Sequence, residues 1–190
     1  MRTLVTSHEV VSELRVQAVH LSGTNHELLE TIRELRALTW EGISEAGGLF
    51  RDLEDSTDMG TLHWLVWEGE HLVAAARLSV HTALELVPDA EFYEQLSSSK
   101  SVGLVGSINR LVVHPQFRNR GLATLLDQER VNTAWNLGCS SIVATTIAGS
   151  SRGFQLEKCG FRKIGVAPAN ATMRKMFGDI LADIWIAHRP

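Results

Sequence analysis

Hydrophobic and polar positions alternate along this chain with two periods, and the changes of period mark out its elements. Residues 14–21 alternate weakly and predict a first strand, preceded by Thr6-x-x-Glu9, the pattern of a capping box. Asn25 then reads as the N-cap of a helix from His26 to about Glu45. Leu28, Leu29, Ile32, Leu35 and Leu38 recur there at helical spacing, and Gly47-Gly48 ends the run. His63 to Trp67 and Leu72 to Val80 are apolar runs on either side of Glu68-Gly69-Glu70, a hairpin signal.

Residues 82–101 break the rhythm. Asp89 to Leu96 predicts a short helix and Ser97-Ser98-Ser99 a loop, an excursion read as covering the mouth of a site. Val102 to Val113 predicts the central strand and Leu122 to Gly138 the helix after it. Leu122, Leu125, Leu126 and Leu137 share an arc of about 120° on that helix, with Val131 and Trp135 off it toward a second surface. Ser141 to Ile147 is β-branched and suits a buried parallel strand. A helix follows to Lys158, closed by Cys159-Gly160-Phe161. Arg162 to Val166 and Ile180 to His188 read as the last two strands, joined by an unassigned connection over Asn170 to Asp179. The pattern predicts one mixed α/β domain over residues 1–190, with a central sheet and helices on both faces.

Composition narrows the function. A net charge of −4 argues against a nucleic-acid-binding face. Cys139 and Cys159 are too few for a disulfide framework and fit a reducing cytoplasm. No N-terminal stretch pairs a basic region with an apolar core, and no apolar run is long enough to span a bilayer, so a soluble cytoplasmic protein is expected. Asp52, Glu54, Asp55 and Asp58 form an acidic loop that either attracts a cationic amine or is simply solvated.

The stretch from Arg110 to Ala123 carries the chemistry. It begins as an apolar strand, breaks at Pro115, and passes Arg118 and Arg120 to Gly121, where a helix starts. The first amides of a helix lack intrahelical partners, the helix dipole adds positive potential, and a glycine lets an anion reach the backbone. Two arginines add charge, so the turn predicts a pyrophosphate cradle.

The spacing Arg118-x-x-Gly121-x-Ala123 after Leu111-x-Val113-x-Pro115 resembles the cofactor motif of the GNAT superfamily of N-acetyltransferases. Leu156-Glu-Lys-Cys-Gly-Phe161 looks like that family's Tyr-Glu-Lys-x-Gly-Phe ending. The resemblance implies a mostly antiparallel sheet that splays near Val113, and acetyl-CoA or another acyl-CoA as acyl donor. It implies that Arg118, Asn119, Arg120, Gly121, Leu122 and Ala123 line the pyrophosphate site, mostly through backbone N–H groups. Leu111, Val112 and Val113 would pair with the pantetheine arm, and the Val113 N–H would contact the thioester carbonyl. The acyl acceptor would be the amine of a small molecule or peptide, and Trp135 and the Trp185 strand are candidates for a homodimer face.

Two positions depart from the family pattern. Leu156 stands where the family places a tyrosine acid, and Ser107 where some members place a glutamate base. Strict alternation would set Ser107 and Asn109 on one face with Val113, as candidate catalytic positions. Base work would pass to His114, His63, Glu68 or water, and Ser150, placed at the cofactor, or Cys159 would protonate the thiolate. Ser107-Ile108-Asn109-Arg110 also resembles the Glu-x-Ser-Arg element of acyl-homoserine lactone synthases, with Arg110 the matching residue. The competing expectations are therefore an acetyltransferase, a non-catalytic acyl-CoA sensor, and a long-chain N-acyltransferase.

Overall fold

A computed structural model describes residues 13–41, 57–96 and 103–190. The Thr6–Glu9 pattern, Gly47-Gly48, Asp52 to Asp55 and the serine run at 97–99 lie outside the described residues. Among the described residues seven strands form one sheet: β1 (Leu14–His20), β2 (Leu62–Glu68), β3 (His71–His81), β4 (Leu104–Val113), β5 (Cys139–Ile147), β6 (Arg162–Pro168) and β7 (Leu181–His188). Their order is β1-β2-β3-β4-β5-β7-β6, and among the described residues only β4 and β5 run parallel. The last strand therefore enters between β5 and β6. The β2–β3 hairpin closes on Gly69 at φ 59°, a left-handed conformation that glycine adopts without a Cβ penalty.

Helix α1 (His26–Glu41) covers one face of the sheet. Leu29, Ile32 and Leu35 pack there on Leu65, Ala75 and Val112. Helix α2 (Leu122–Asn136) covers the other, setting Leu122, Leu126, Val131 and Ala134 on Trp64, Ala74, Ala76 and Ile108. The alanines of β3 let both helices approach closely. The apolar arc expected for α2 is corrected here: Leu125 and Leu137 are exposed, while Asp127 and Arg130 lie in the middle of the buried face. An arc drawn from hydrophobicity alone misses a charged pair that satisfies itself inside the core.

Helix α3 (Ser151–Lys158) also lies on the α2 side. Its Gly153 is a contact glycine, because an added Cβ would sit 2.6 Å from Cζ2 of the buried Trp185. Gly153→Ala is expected to cost roughly 1–3 kcal/mol by overpacking. Thermal melting checks this, and an unchanged midpoint would show that the indole can retreat. Trp185 is itself internal and donates from Nε1 to Thr146 Oγ1 at 3.0 Å, so its side chain offers nothing to a dimer face.

The connection over Asn170–Asp179 holds a further helix, α4 (Ala171–Phe177). Asn170 Oδ1 caps it by accepting from the Met173 N–H at 2.8 Å. Met176 packs on Ala37 of α1, and Phe177 meets Trp40 edge-on with ring centroids 6.2 Å apart. Residues 84–86 and 90–96 form 3-10 turns. They seat Leu84, Phe92 and Tyr93 on Val105, Val143 and Ile184.

Candidate active site

The parallel pairing of β4 and β5 is short. Leu104 to Ser107 pair with Cys139 to Val143, and beyond them the two strands part. β4 stays on β3 as far as Val113. Ala75 faces Val112 and Arg77 faces Asn109, so one extra residue is held on β4 at Arg110 and Leu111. This is a β-bulge, with Arg110 at φ 53° in the left-handed region. The bulge resets the alternation. Ser107, Asn109 and Val112 share the α1 face, whereas Ile108 and Val113 face α2, which corrects the expectation that Ser107 and Asn109 lie on the side of Val113.

The same register fixes where the Val113 amide points. His114 N–H donates to Val73 carbonyl at 2.8 Å, making that facing pair a hydrogen-bonded one. The adjacent pair, Ala74 with Val113, is then of the non-bonded type, and the Val113 N–H points away from β3 into the gap vacated by β5.

After β4 a 3-10 turn over Pro115–Phe117 leads to Asn119 at φ 62° and Gly121 at φ 79°, the residue that precedes α2. Among the described residues no acceptor takes up the backbone N–H groups from Asn119 to Thr124. A Cβ added at Gly121 would meet nothing within 4 Å, so the hollow before these amides is open. Arg118, Asn119 and Arg120 are exposed around it, and the Arg120 guanidinium stacks 4.6 Å from the Phe117 ring centroid. Leu122 is buried and Ala123 half-buried, so these two bring only their amides.

A cleft of about 280 Å³ occupies the gap between β4 and β5. Arg130, Arg152, Leu156 and Ile108 line it on the α2 side; Asn109, Asp89, Trp40, Met173, Met176 and Phe177 line it on the other. Leu111 and Ser150 also border it, and the buried Ser150 Oγ has no hydrogen-bond partner among the described residues. Arg130 spans the base of the bulge: its Nη1 donates to the carbonyls of Arg77 and Asn109, each at 3.0 Å. That grip holds the strained Arg110 in place.

Ser107 is buried and accepts from Asn109 Nδ2 at 3.1 Å, while Asn109 Oδ1 accepts from Arg77 Nε at 2.7 Å. Arg77 Nη1 in turn donates to Asp58 at 2.8 Å, and Arg36 binds the same carboxylate through both Nη atoms at 2.6 and 2.9 Å. Asp58 is thus a fully buried anchor, neither a solvated loop residue nor an exposed lure for an amine. His63 lies beneath it, its Nε2 3.1 Å from the Asp58 carbonyl. Burial first, and then the charge of Arg36, push His63 from 6.5 down to about 4.

The folded state therefore favours the neutral imidazole. Its contribution is complete above the unfolded value of 6.5 and is lost as pH falls through about 4. His63→Gln is expected to flatten the loss of stability on the acid side. Denaturant midpoints at about pH 7 and about pH 5 check this, and an equal fall in both proteins would contradict it.

The other expected acids and bases stand apart from the cleft. His114 and Glu68 border a separate hollow between α1 and the β2–β3 hairpin. Burial pushes the half-buried Cys159 thiol up. Tyr93, the chain's one tyrosine, is buried on the inner side of the 3-10 turn over residues 90–96 and bonds to Thr145, a residue of the cleft wall. Burial, with Asp89 adding, pushes its phenol up.

Several solved structures share this fold. Arabidopsis thaliana NAA60 in complex with acetyl-CoA superposes with a TM-score of 0.58 at 16% identity, over 92% of this chain and 98% of that one. The NatC complex bound to Gag peptide and CoA gives 0.61 at 16% identity, over 93% and 99%. An agmatine N-acetyltransferase in its apo form gives 0.61 at 12% identity, over 92% and 99%. No curated protein sequence matches the chain. The acetyltransferase (GNAT) family matches residues 29–161, a span that takes in the bulge, the open amides before α2 and the glycine that closes α3, and the chain belongs to that family.

Proposed function

We propose that residues 1–190 form one acyltransferase domain that moves an acetyl group from acetyl-CoA to a primary amine by direct attack. The observation that carries this reading is the row of amides from Asn119 to Thr124 without acceptors among the described residues, opening beside the gap into which Val113 N–H points. Such a row suits a diphosphate, with Arg118 and Arg120 adding charge, and the glycine leaves room for it. From there a pantetheine arm would run along Leu111 to Val113, and the Val113 N–H would steady the thioester oxygen as charge grows on it. Ser150 Oγ supplies a further unpartnered donor to the same cleft.

The acceptor would enter on the side of α1 and α4. Asp89 offers a carboxylate there, held by Asn170 Nδ2 at 2.8 Å, beside the rings of Trp40 and Phe177. A carboxylate and aromatic faces together favour an ammonium group on an apolar stem. Among the structural neighbours the acceptor named is agmatine in one case and a bound peptide is present in another, so both amine classes belong in the test. Asn109 and Ser107 would shape the floor through their tie to Arg77 rather than take a proton. The free thiols of Cys139 and Cys159 support a reducing, cytoplasmic setting.

Titration calorimetry with acetyl-CoA, followed by transfer assays over small cationic amines and peptide N-termini, tests the proposal. Micromolar binding and turnover with at least one amine are expected. Binding no tighter than millimolar would remove the donor assignment. Tight binding without turnover on any amine would instead favour a sensor, and a preference for acyl carrier protein over CoA the long-chain reading.

A further inference from the structure

Asp127 on α2 is fully buried and accepts from two guanidiniums, Arg130 on the same helix and Arg152 on α3. One negative charge between two positive ones leaves a surplus of one positive charge at the inner wall of the cleft. Arg130 is fully buried, and Arg152 has 21% of its side chain exposed; both border the cavity. On the inner wall, among the described residues, the remaining neighbours do not cancel the surplus: Arg152 also reaches the neutral Gln155 Oε1 at 3.2 Å, and burial pushes the nearby Cys159 thiol up. The Asp89 carboxylate faces the cleft from the opposite wall, bound to Asn170, and Arg110 borders the same cleft as a further cation. Burial pushes Arg130 itself down to about 10, against the attraction of Asp127, a sign that a cationic cluster is being held out of water.

Arg152 and Leu156 are four residues apart on α3 and so project from one face, and both border the cleft. The tyrosine that this family often places at the position of Leu156 would donate a proton there, and leucine cannot. A cation one turn earlier on the helix supplies a different means of carrying the charge of a leaving sulfur.

We propose that the Asp127–Arg130–Arg152 cluster, with Arg152 as the group nearest the acyl donor, stabilises the departing thiolate electrostatically and so replaces the missing acid. This rests on the acetyl-CoA reading above. In the step concerned, the neutral amine nitrogen attacks the thioester carbonyl carbon and forms the C–N bond. The C–S bond breaks, its electron pair stays on sulfur, the surplus proton on nitrogen passes to solvent, and CoA leaves as the thiolate. A guanidinium is a poor proton donor at neutral pH but a permanent charge, and in a partly desolvated wall that charge is screened less than in water.

The test is the ionisation of CoA thiol bound to the full chain, followed by ultraviolet thiolate absorbance. The complex with desulfo-CoA serves as the reference, so that Cys139 and Cys159 cancel. Bound CoA is expected to ionise about one pH unit or more below free CoA. Arg152→Gln should abolish that shift and Arg152→Lys should keep most of it, with desulfo-CoA affinity measured on each variant so that the shift is read only from protein with ligand bound. A bound thiol that ionises like free CoA, or one depressed equally in Arg152→Gln, overturns the proposal. Failure of both CoA and desulfo-CoA to bind the unsubstituted protein removes the donor assignment itself, and this inference with it.

Discussion

Gly121→Glu is expected to lower acetyl-CoA affinity by about a hundredfold or more, equivalent to roughly 3 kcal/mol, and to cost the fold no more than roughly 1–2 kcal/mol. Two effects act together. At φ 79° any residue with a Cβ adopts a left-handed conformation at a cost of roughly 1–2 kcal/mol. The new side chain also carries a carboxylate into the open space before the amides of α2, where a diphosphate would sit. Space itself is not limiting, since nothing lies within 4 Å of the added Cβ. The damage should therefore fall on binding rather than on packing. Gly121→Ala separates the two effects, because it adds the backbone strain without the charge; its affinity should fall between those of the other two proteins. Calorimetry with acetyl-CoA, paired with thermal melting, measures both quantities. Unchanged affinity in Gly121→Glu would mean that the donor lies elsewhere.

What could be read from the sequence was local. The strands of the β2–β3 hairpin, α1, α2 and the turn from Pro115 to Gly121 declare themselves through period, punctuation and the spacing of Arg118, Gly121 and Ala123, all within a few residues. The features that were not legible depend on partners far along the chain. The bulge at Arg110 exists only through the register of β4 against β3, and it changes which face Asn109 and Val113 occupy. β7 entering between β5 and β6 is likewise a matter of non-local pairing. Asp127 and Arg130 look like ordinary solvated positions on an amphipathic helix until Arg152 and the carbonyl of Asn109 are brought against them. Helix α4 did leave a signal, Asn170 ahead of a short run closed by Gly178, but seven residues are too few for periodicity to register.

The cleft's two walls depend on two buried charge clusters that, among the described residues, each share one carboxylate between two guanidiniums, set on opposite faces of the sheet. Arg130 joins them, since it belongs to one cluster and donates to the carbonyls of Arg77 and Asn109 in the other. The bulge between them is thus held from both sides.

Asp58→Ala is expected to be the most destabilising single change on the α1 side, by roughly 3–5 kcal/mol. Arg36 and Arg77 are 4% and 1% exposed, so removal of the shared carboxylate takes one ion pair from each of two buried guanidiniums at once. For a chain of this size that loss should lower the melting temperature by about 10 °C or more. Asp58→Asn retains acceptor capacity without the charge and should be milder, which distinguishes loss of the ion pairs from loss of shape. The consequence reaches the cleft, because Arg77 holds Asn109 Oδ1 at 2.7 Å and Asn109 borders the bulge. Acyl-donor affinity measured at a temperature where Asp58→Ala remains folded should therefore also fall, by less than in Gly121→Glu. A variant that melts with the unsubstituted protein would show that water reaches both guanidiniums, and the cluster would then be a hydrated surface feature rather than the support of the bulge.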